Sequence, residues 1–246
     1  MIDSHNHLQQ IDGQYDSLMD ALCASGIRQL WVNATAPDDF NAVASLVRRY
    51  PSSVIPFFGL HPWRVRGVSA DWAHQLRDYL LEFPAAGLGE CGLDGWTRDS
   101  SLAEQKEPFI AQLRMAQELD RPLCIHCLKA WGPLLDCLQN ELLPQRGFLI
   151  HAFGGSAELA LQLAGLGAYF SFNAYFMHER KGKVREAFRR IPADRLLVET
   201  DAPAMAPPAS YCEPAYRHAR DAGHNHPGNL RLAYQALAQI RQVPLD

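Results

Sequence analysis

The chain has 246 residues, 48% hydrophobic and 20% charged, with a formal charge of −4 at neutral pH. This composition excludes a disordered or fibrous chain, and the charge excludes a globally basic nucleic-acid coat while leaving room for a local cationic site. No apolar run reaches the length of a membrane span, Asp3 interrupts any signal-peptide core, and the six cysteines are scattered, so the expectation is a cytoplasmic protein with reduced thiols and no membrane partner.

The chain opens on "MIDSHNHL". Read as a strand, this stretch puts Asp3, His5 and His7 on one face, because alternate strand residues project together. Three polar side chains sharing one space call for a partner such as a metal ion; the competing reading is a polar terminus that happens to carry histidines. Further strand-like runs follow at 26–35, 52–62, 85–94, 121–127, 147–153, 167–174 and 194–203. Helical patterns fall between them, near 15–25, 37–50, 70–83, 101–119, 129–142, 155–166 and 181–190, and a last helix follows Pro227. Asp38 and Ser156 supply helix-start signals, and Phe109, Leu113 and Ala116 share one buried face. Cys124 and Cys127 form a CxxC with no second pair, and alternation places them on opposite faces as small core residues.

Eight strand–helix units in about 250 residues match a (β/α)8 TIM barrel in a single domain over 1–246. A doubly wound open sheet shows the same alternation, but no glycine-rich phosphate fingerprint follows the first strand. Neither a repeat nor a linker divides the chain.

The histidines and acids fall at strand ends: His61 after "FFGL", Glu90 after "GLG", His126 after "PLCI", His151 after "GFLI" and Asp201 after "LLVET". In a parallel barrel those ends open on one face, where active sites are built. His5, His7, Glu90, His126, His151 and Asp201 should therefore converge. Four imidazoles and two carboxylates exceed one tetrahedral ion and suit two divalent metal ions, bridged by a carboxylate across about 3.5–4 Å. Glu90, near the middle of the set, is the natural bridge, and Asp201 is placed to hold a metal and to accept the proton of an attacking water. Mixed imidazole and carboxylate donors suit Mg, Mn or Zn alike.

In order and spacing, "DSHNHL", "GLHPW", "GECGLD", "PLCIHC", "HAFGGS" and "LLVETDAP" resemble the motifs of the TatD family of metal-dependent deoxyribonucleases, within the amidohydrolase-like metal-dependent hydrolases. The similarity runs from Met1 to about Asp201 and resumes at "HNHPGNL" over 224–230. The resemblance implies a metal-dependent hydrolase of DNA or RNA phosphodiesters, exonucleolytic on single strands. It places His5, His7 and Asp201 on one metal, His126 and His151 on the other, and Glu90 between them. Glu90 and Asp201 are then the catalytic carboxylates, with Asp201 as general base; His61 lies beside the scissile phosphate and Trp63 stacks a base.

The chain departs from that pattern where it should face substrate. Leu128 and Lys129 stand where the family carries an arginine, Asn225-His226-Pro227 replaces Asn-Glu-Pro, and 204–224 is longer than the usual loop. Arg64, Arg66, Arg180, Lys181, Lys183, Arg217 and Arg220, with Tyr211 and Tyr216, are the cations and aromatics expected to grip single-stranded nucleic acid. Two other readings stand beside this one. The same rim can hydrolyse a small ester, amide or phosphoester, or the barrel can serve as a binding subunit that docks protein partners through 204–224.

Overall fold

The protein is described from a computed structural model covering residues 1–11 and 15–244. Among these residues, eight parallel strands pair in chain order: β1 (Ile2–Asn6), β2 (Gln29–Asn33), β3 (Val54–Phe58), β4 (Gly87–Asp94), β5 (Leu123–Leu128), β6 (Phe148–Ile150), β7 (Ala168–Asn173) and β8 (Leu196–Glu199). Helices follow each strand in turn: α1 (Tyr15–Ala24), α2 (Pro37–Arg49), α3 (Trp72–Glu82), α4 (Leu102–Glu118), α5 (Trp131–Asn140), α6 (Ala157–Gly165) and α7 (Gly182–Arg190). A short helix α8 (Arg217–Asp221) and the final α9 (Leu230–Arg241) come after β8. This is the (β/α)8 TIM barrel that the alternation predicted. Of the 1–246 span, residues 12–14 and 245–246 lie outside the described residues.

Strand alternation divides the apolar residues into two layers. Leu30, Val32, Phe58, Leu88, Leu123, Ile125, Phe170 and Phe172 belong to the large core shared with the helices. Each such side chain contributes about 1.5–3 kcal/mol when fully buried. Phe57, Cys124 and Leu149 form a smaller cluster, packed with Trp31, Ile55, Tyr169 and Leu197, that fills the barrel interior. Cys127 lies in the outer core and Cys124 in the inner one, as the alternation predicted. Among the described residues no helix is long and apolar enough to cross a membrane.

Two features of the sheet set up the mouth of the barrel. The first is its closure: Ser4 Oγ donates to the Val198 carbonyl at 3.0 Å, Asp201 N–H to the His5 carbonyl at 2.9 Å, and His7 N–H to the Ala202 carbonyl at 2.7 Å. The second is a pair of register shifts. Asp3 pairs with Leu30 but Asn6 with Val32, and Leu88 pairs with Leu123 but Cys91 with Ile125. Each shift inserts one extra residue, which kinks the strand and re-aims its side chains. Glu90 therefore sits within β4 rather than closing it, and the strand runs on to Asp94. Likewise His7 lies just past the end of β1, so simple alternation does not describe how Asp3, His5 and His7 are directed.

Candidate metal centre and active site

Glu90 is the hub of the mouth, and its two carboxylate oxygens face different partners. Oε2 lies 3.5 Å from His5 Nε2 and 3.3 Å from His7 Nε2. Oε1 lies 3.0 Å from His126 Nδ1, 2.9 Å from His151 Nε2 and 3.2 Å from His61 Nε2. Asp201, held just beyond β8 with φ at +53°, brings Oδ1 to 3.4 Å from His5 Nε2 and 3.6 Å from His7 Nε2. Within each set the imidazole nitrogens also face each other, His5 and His7 Nε2 at 3.3 Å and His126 Nδ1 and His151 Nε2 at 3.3 Å. All the predicted site residues except Trp63 and the partly buried His126 are buried.

These spacings fit bound cations. Donors held about 2.1 Å from a tetrahedral ion lie about 3.4 Å apart, and the separations here run from 2.9 to 3.6 Å. The hydrogen bonds on the far side of each ring fit as well, because they decide which nitrogen keeps a free lone pair. His7 Nδ1 lies 2.8 Å from the Asn33 carbonyl and can only donate to it, which leaves Nε2 bare toward Glu90 and Asp201. His126 Nε2 lies 2.9 Å from Asp94 Oδ2, leaving Nδ1 bare toward Glu90. His5 Nδ1 meets the Cys124 sulfur at 3.1 Å. His151 Nδ1 faces Glu199 Oε1 at 3.7 Å; both atoms are buried without a hydrogen bond, one nitrogen and one oxygen poised to pair.

His61 is different. Its Nδ1 accepts the Trp63 backbone N–H at 3.1 Å, so its own proton sits on Nε2, the atom that faces Glu90 Oε1. Burial pushes this imidazole down to about 4, past the opposing pull of Glu90. His61 is therefore a neutral N–H donor at the edge of the carboxylate and not a lone-pair donor to a cation.

The charge balance of the centre points the same way. Burial is the largest influence on Glu90 and opposes its ionisation, yet His61, His151, His5 and His126 together hold the carboxyl well below its usual range. Burial also opposes protonation of His7, but Glu90, Asp201 and the Asn33 carbonyl outweigh it and push the ring up to about 9. Against the same opposition, Glu90 and Glu199 push His151 up, and Asp94 and Glu90 push His126 up. Two buried carboxylates in the mouth of a barrel thus demand positive charge, and the donor set is built to receive it.

Asp3, the third polar residue of the first strand, does not join the ring of imidazole nitrogens. Its Oδ1 accepts the Thr200 N–H at 2.9 Å and its Oδ2 the Thr200 hydroxyl at 2.6 Å. It thereby fixes the residue that precedes Asp201. Burial, the dominant cause, pushes its carboxyl up to about 8.

Sequence reasoning missed Asp94. This buried carboxylate accepts Trp63 Nε1 at 2.7 Å, Trp96 N–H at 2.6 Å and Thr97 N–H at 2.9 Å, besides its contact with His126. Its place at the end of "GECGLD" was visible, but its partners lie up to about thirty residues away in other loops. Glu199 was missed for the same reason. Trp63 is 49% exposed, with its ring 5.0 Å from His61 and 6.2 Å from His126 between centroids.

Several of the cations expected to grip phosphates already have partners. Arg64 pairs with Asp38, Arg66 with Glu104 at 2.8 Å, and Arg180 with the Tyr175 hydroxyl. Tyr211 bonds Gln239 at 3.1 Å, and Tyr216 stacks on His226 with centroids 3.7 Å apart.

Residues 2–246 match the profile of the family described as TatD related DNase. The chain is 31% identical over 235 residues to the 3′-5′ ssDNA/RNA exonuclease TatD of Escherichia fergusonii, covering 92% of this chain and 85% of that protein. A TatD homologue from Escherichia coli K12 superposes with a TM-score of 0.88 at 26% identity, over 99% of this chain and 91% of that one. A TatD family hydrolase from Entamoeba histolytica superposes with a TM-score of 0.84 at 17% identity, over 99% of this chain and 92% of that one, and so shares the fold.

Proposed function

The chain belongs to the TatD related DNase family, a family of metal-dependent hydrolases acting on phosphodiester bonds, and from that premise we propose that it is a two-metal nuclease trimming single-stranded DNA or RNA. The observation that carries the reading is the division of Glu90: one oxygen faces His5 and His7, the other His126 and His151. The relative named as a 3′-5′ ssDNA/RNA exonuclease supports end-wise cleavage from the 3′ terminus.

In this reading His5, His7 and Asp201 would hold one divalent ion, His126 and His151 would hold a second, and Glu90 would offer one carboxylate oxygen to each. The imidazole-rich donor set favours Zn over Mn or Mg. Bound ions supply positive charge against the phosphoryl oxygens and acidify water. The chain's own residues do the rest. Asp201, with its carboxyl held below the usual range in spite of burial by His5, His151 and His7, stays ionised and takes the proton of the attacking water. The neutral Nε2–H of His61 donates to a phosphate oxygen, where negative charge grows in the transition state. Trp63 stacks the base beside the cleaved bond. A single catalytic unit spans 1–246, and six free cysteines, five of them buried, support a reducing, cytoplasmic setting.

The test compares metal content and single-strand digestion in the native chain, Glu90→Gln and Asp201→Asn. Glu90→Gln loses metal and activity together, whereas Asp201→Asn loses most activity with a smaller loss of metal. Equal digestion by all three overturns the mechanism.

A further inference from the structure

Trp96 presents a large apolar surface to water: the residue is 66% exposed, on the loop that follows β4. A single exposed indole is unremarkable on a flexible loop, but this one is pinned. Its N–H and that of Thr97 both donate to Asp94 Oδ1, at 2.6 and 2.9 Å. The preceding Gly95 N–H donates to the Leu128 carbonyl at 2.7 Å, which extends the β4–β5 pairing by one step. A Cβ at Gly95 would stand 2.5 Å from the Lys129 carbonyl oxygen, so only glycine lets the two loops approach this closely. The result lays the Lys129 ammonium 5.6 Å from the centroid of the Trp96 ring. Arg64 and Arg66 are neutralised by carboxylates; Lys129 instead rests against an aromatic face.

Asp94 also ties this pair to the metal centre. Its Oδ2 holds both Trp63 Nε1 and His126 Nε2, so one buried carboxylate fixes two exposed indoles relative to one imidazole of the centre. We propose that Trp96 and Lys129 form a second base-stacking subsite, which receives an unpaired nucleobase of the substrate and its neighbouring phosphate outward from Trp63. The subsite rests on the nuclease reading given above and deepens it. The ring face opposite the ammonium recognises a base of any sequence, and the ammonium over the other face meets the anionic backbone. In a duplex the base faces are already stacked, so the subsite selects single strands.

The test is fluorescence anisotropy of a labelled six-nucleotide thymidine oligomer with hydrolysis-resistant phosphorothioate linkages, on the metal-loaded protein, with wild type, Trp96→Ala, Lys129→Gln and Leu142→Ser. Leu142 is 75% exposed beyond the end of α5 and serves as a control for general apolar contact. Trp96→Ala weakens binding about tenfold, the ordinary worth of one stacked base. Lys129→Gln weakens it less and flattens its salt dependence, and Leu142→Ser binds as wild type. A scan placing one abasic residue along the oligomer finds a position at which wild type loses the same factor. At that position Trp96→Ala loses nothing more, because the base and the ring are two halves of one contact.

Equal binding by Trp96→Ala and wild type overturns the subsite while leaving the nuclease reading intact. So does an abasic penalty that persists unchanged in Trp96→Ala. No binding by wild type overturns both.

Discussion

Asp94 and His126 meet across neighbouring strands, with the carboxylate Oδ2 2.9 Å from the imidazole Nε2. The contact leaves Nδ1 as the ring's free lone pair, directed at Glu90 Oε1 from 3.0 Å. Asp94→Asn replaces an acceptor with a group that can also donate, and the ring loses its fixed tautomer. Affinity for the ion assigned to His126 and His151 falls by about 10–100-fold, the usual effect of removing such an outer partner. Competition titration against a chelator measures it, and unchanged affinity removes the role assigned to Asp94.

His61 gives the opposite pattern. Because its Nδ1 accepts from Trp63 and its Nε2 carries the proton, His61→Ala keeps the metal content of wild type. It loses roughly a hundredfold in kcat/KM on single-stranded substrate, the scale of one lost donor to a developing oxyanion. Burial holds this ring down at about 4, so it contributes no inflection to the pH profile between about pH 5 and 8. Metal loss in His61→Ala would identify it as a ligand after all.

Cys124 contacts His5 Nδ1 from inside the barrel at 3.1 Å. Cys124→Ala leaves that buried nitrogen without a partner, and metal affinity falls by about 10–100-fold. Cys124→Ser restores a polar partner and recovers most of the loss. If alanine and serine behave alike, the sulfur is only filling space.

The stacked pair in the long segment after β8 gives a pH prediction. Burial, assisted by the nearby His218, pushes His226 down to about 4. A ring held below its unfolded value contributes stability that is full above that value and is lost as the pH falls toward the folded one. An NMR titration of His226 should therefore show a midpoint near 4. Tyr216→Ala removes the ring stacked 3.7 Å away, admits water and moves the midpoint up. A midpoint unmoved by that change would mean that Tyr216 does not shield the ring.

The barrel and the composition of its centre were legible because parallel strands end on one face, and polar residues at those ends have nowhere else to go. His151 and Asp201 fell where that rule puts them, whereas His126 lies two residues short of the end of β5. The rule is silent about Glu90, whose orientation depends on an extra residue in β4, and about how the extra residue in β1 directs His5 and His7. Asp94 was illegible because its work is done on His126, Trp63 and Trp96, and only the closed barrel brings these together. The ion pairs of Arg64 and Arg66 were illegible for a related reason. Their partners Asp38 and Glu104 sit in the first turns of α2 and α4, on units the sequence does not show to be adjacent.

The backbone bonds that close the barrel join the first strand to the stretch that carries Asp201. Until Asp201 has been made, a growing chain therefore carries His5 and His7 with β2 and Glu90 but without Asp201 and without β8 to close the barrel. The complete donor set exists only after residue 201 has left the ribosome and docked. A nuclease of the kind proposed is thus made beside its own messenger in an unarmed form, and the order of synthesis itself withholds the activity until the strand before Asp201 has docked.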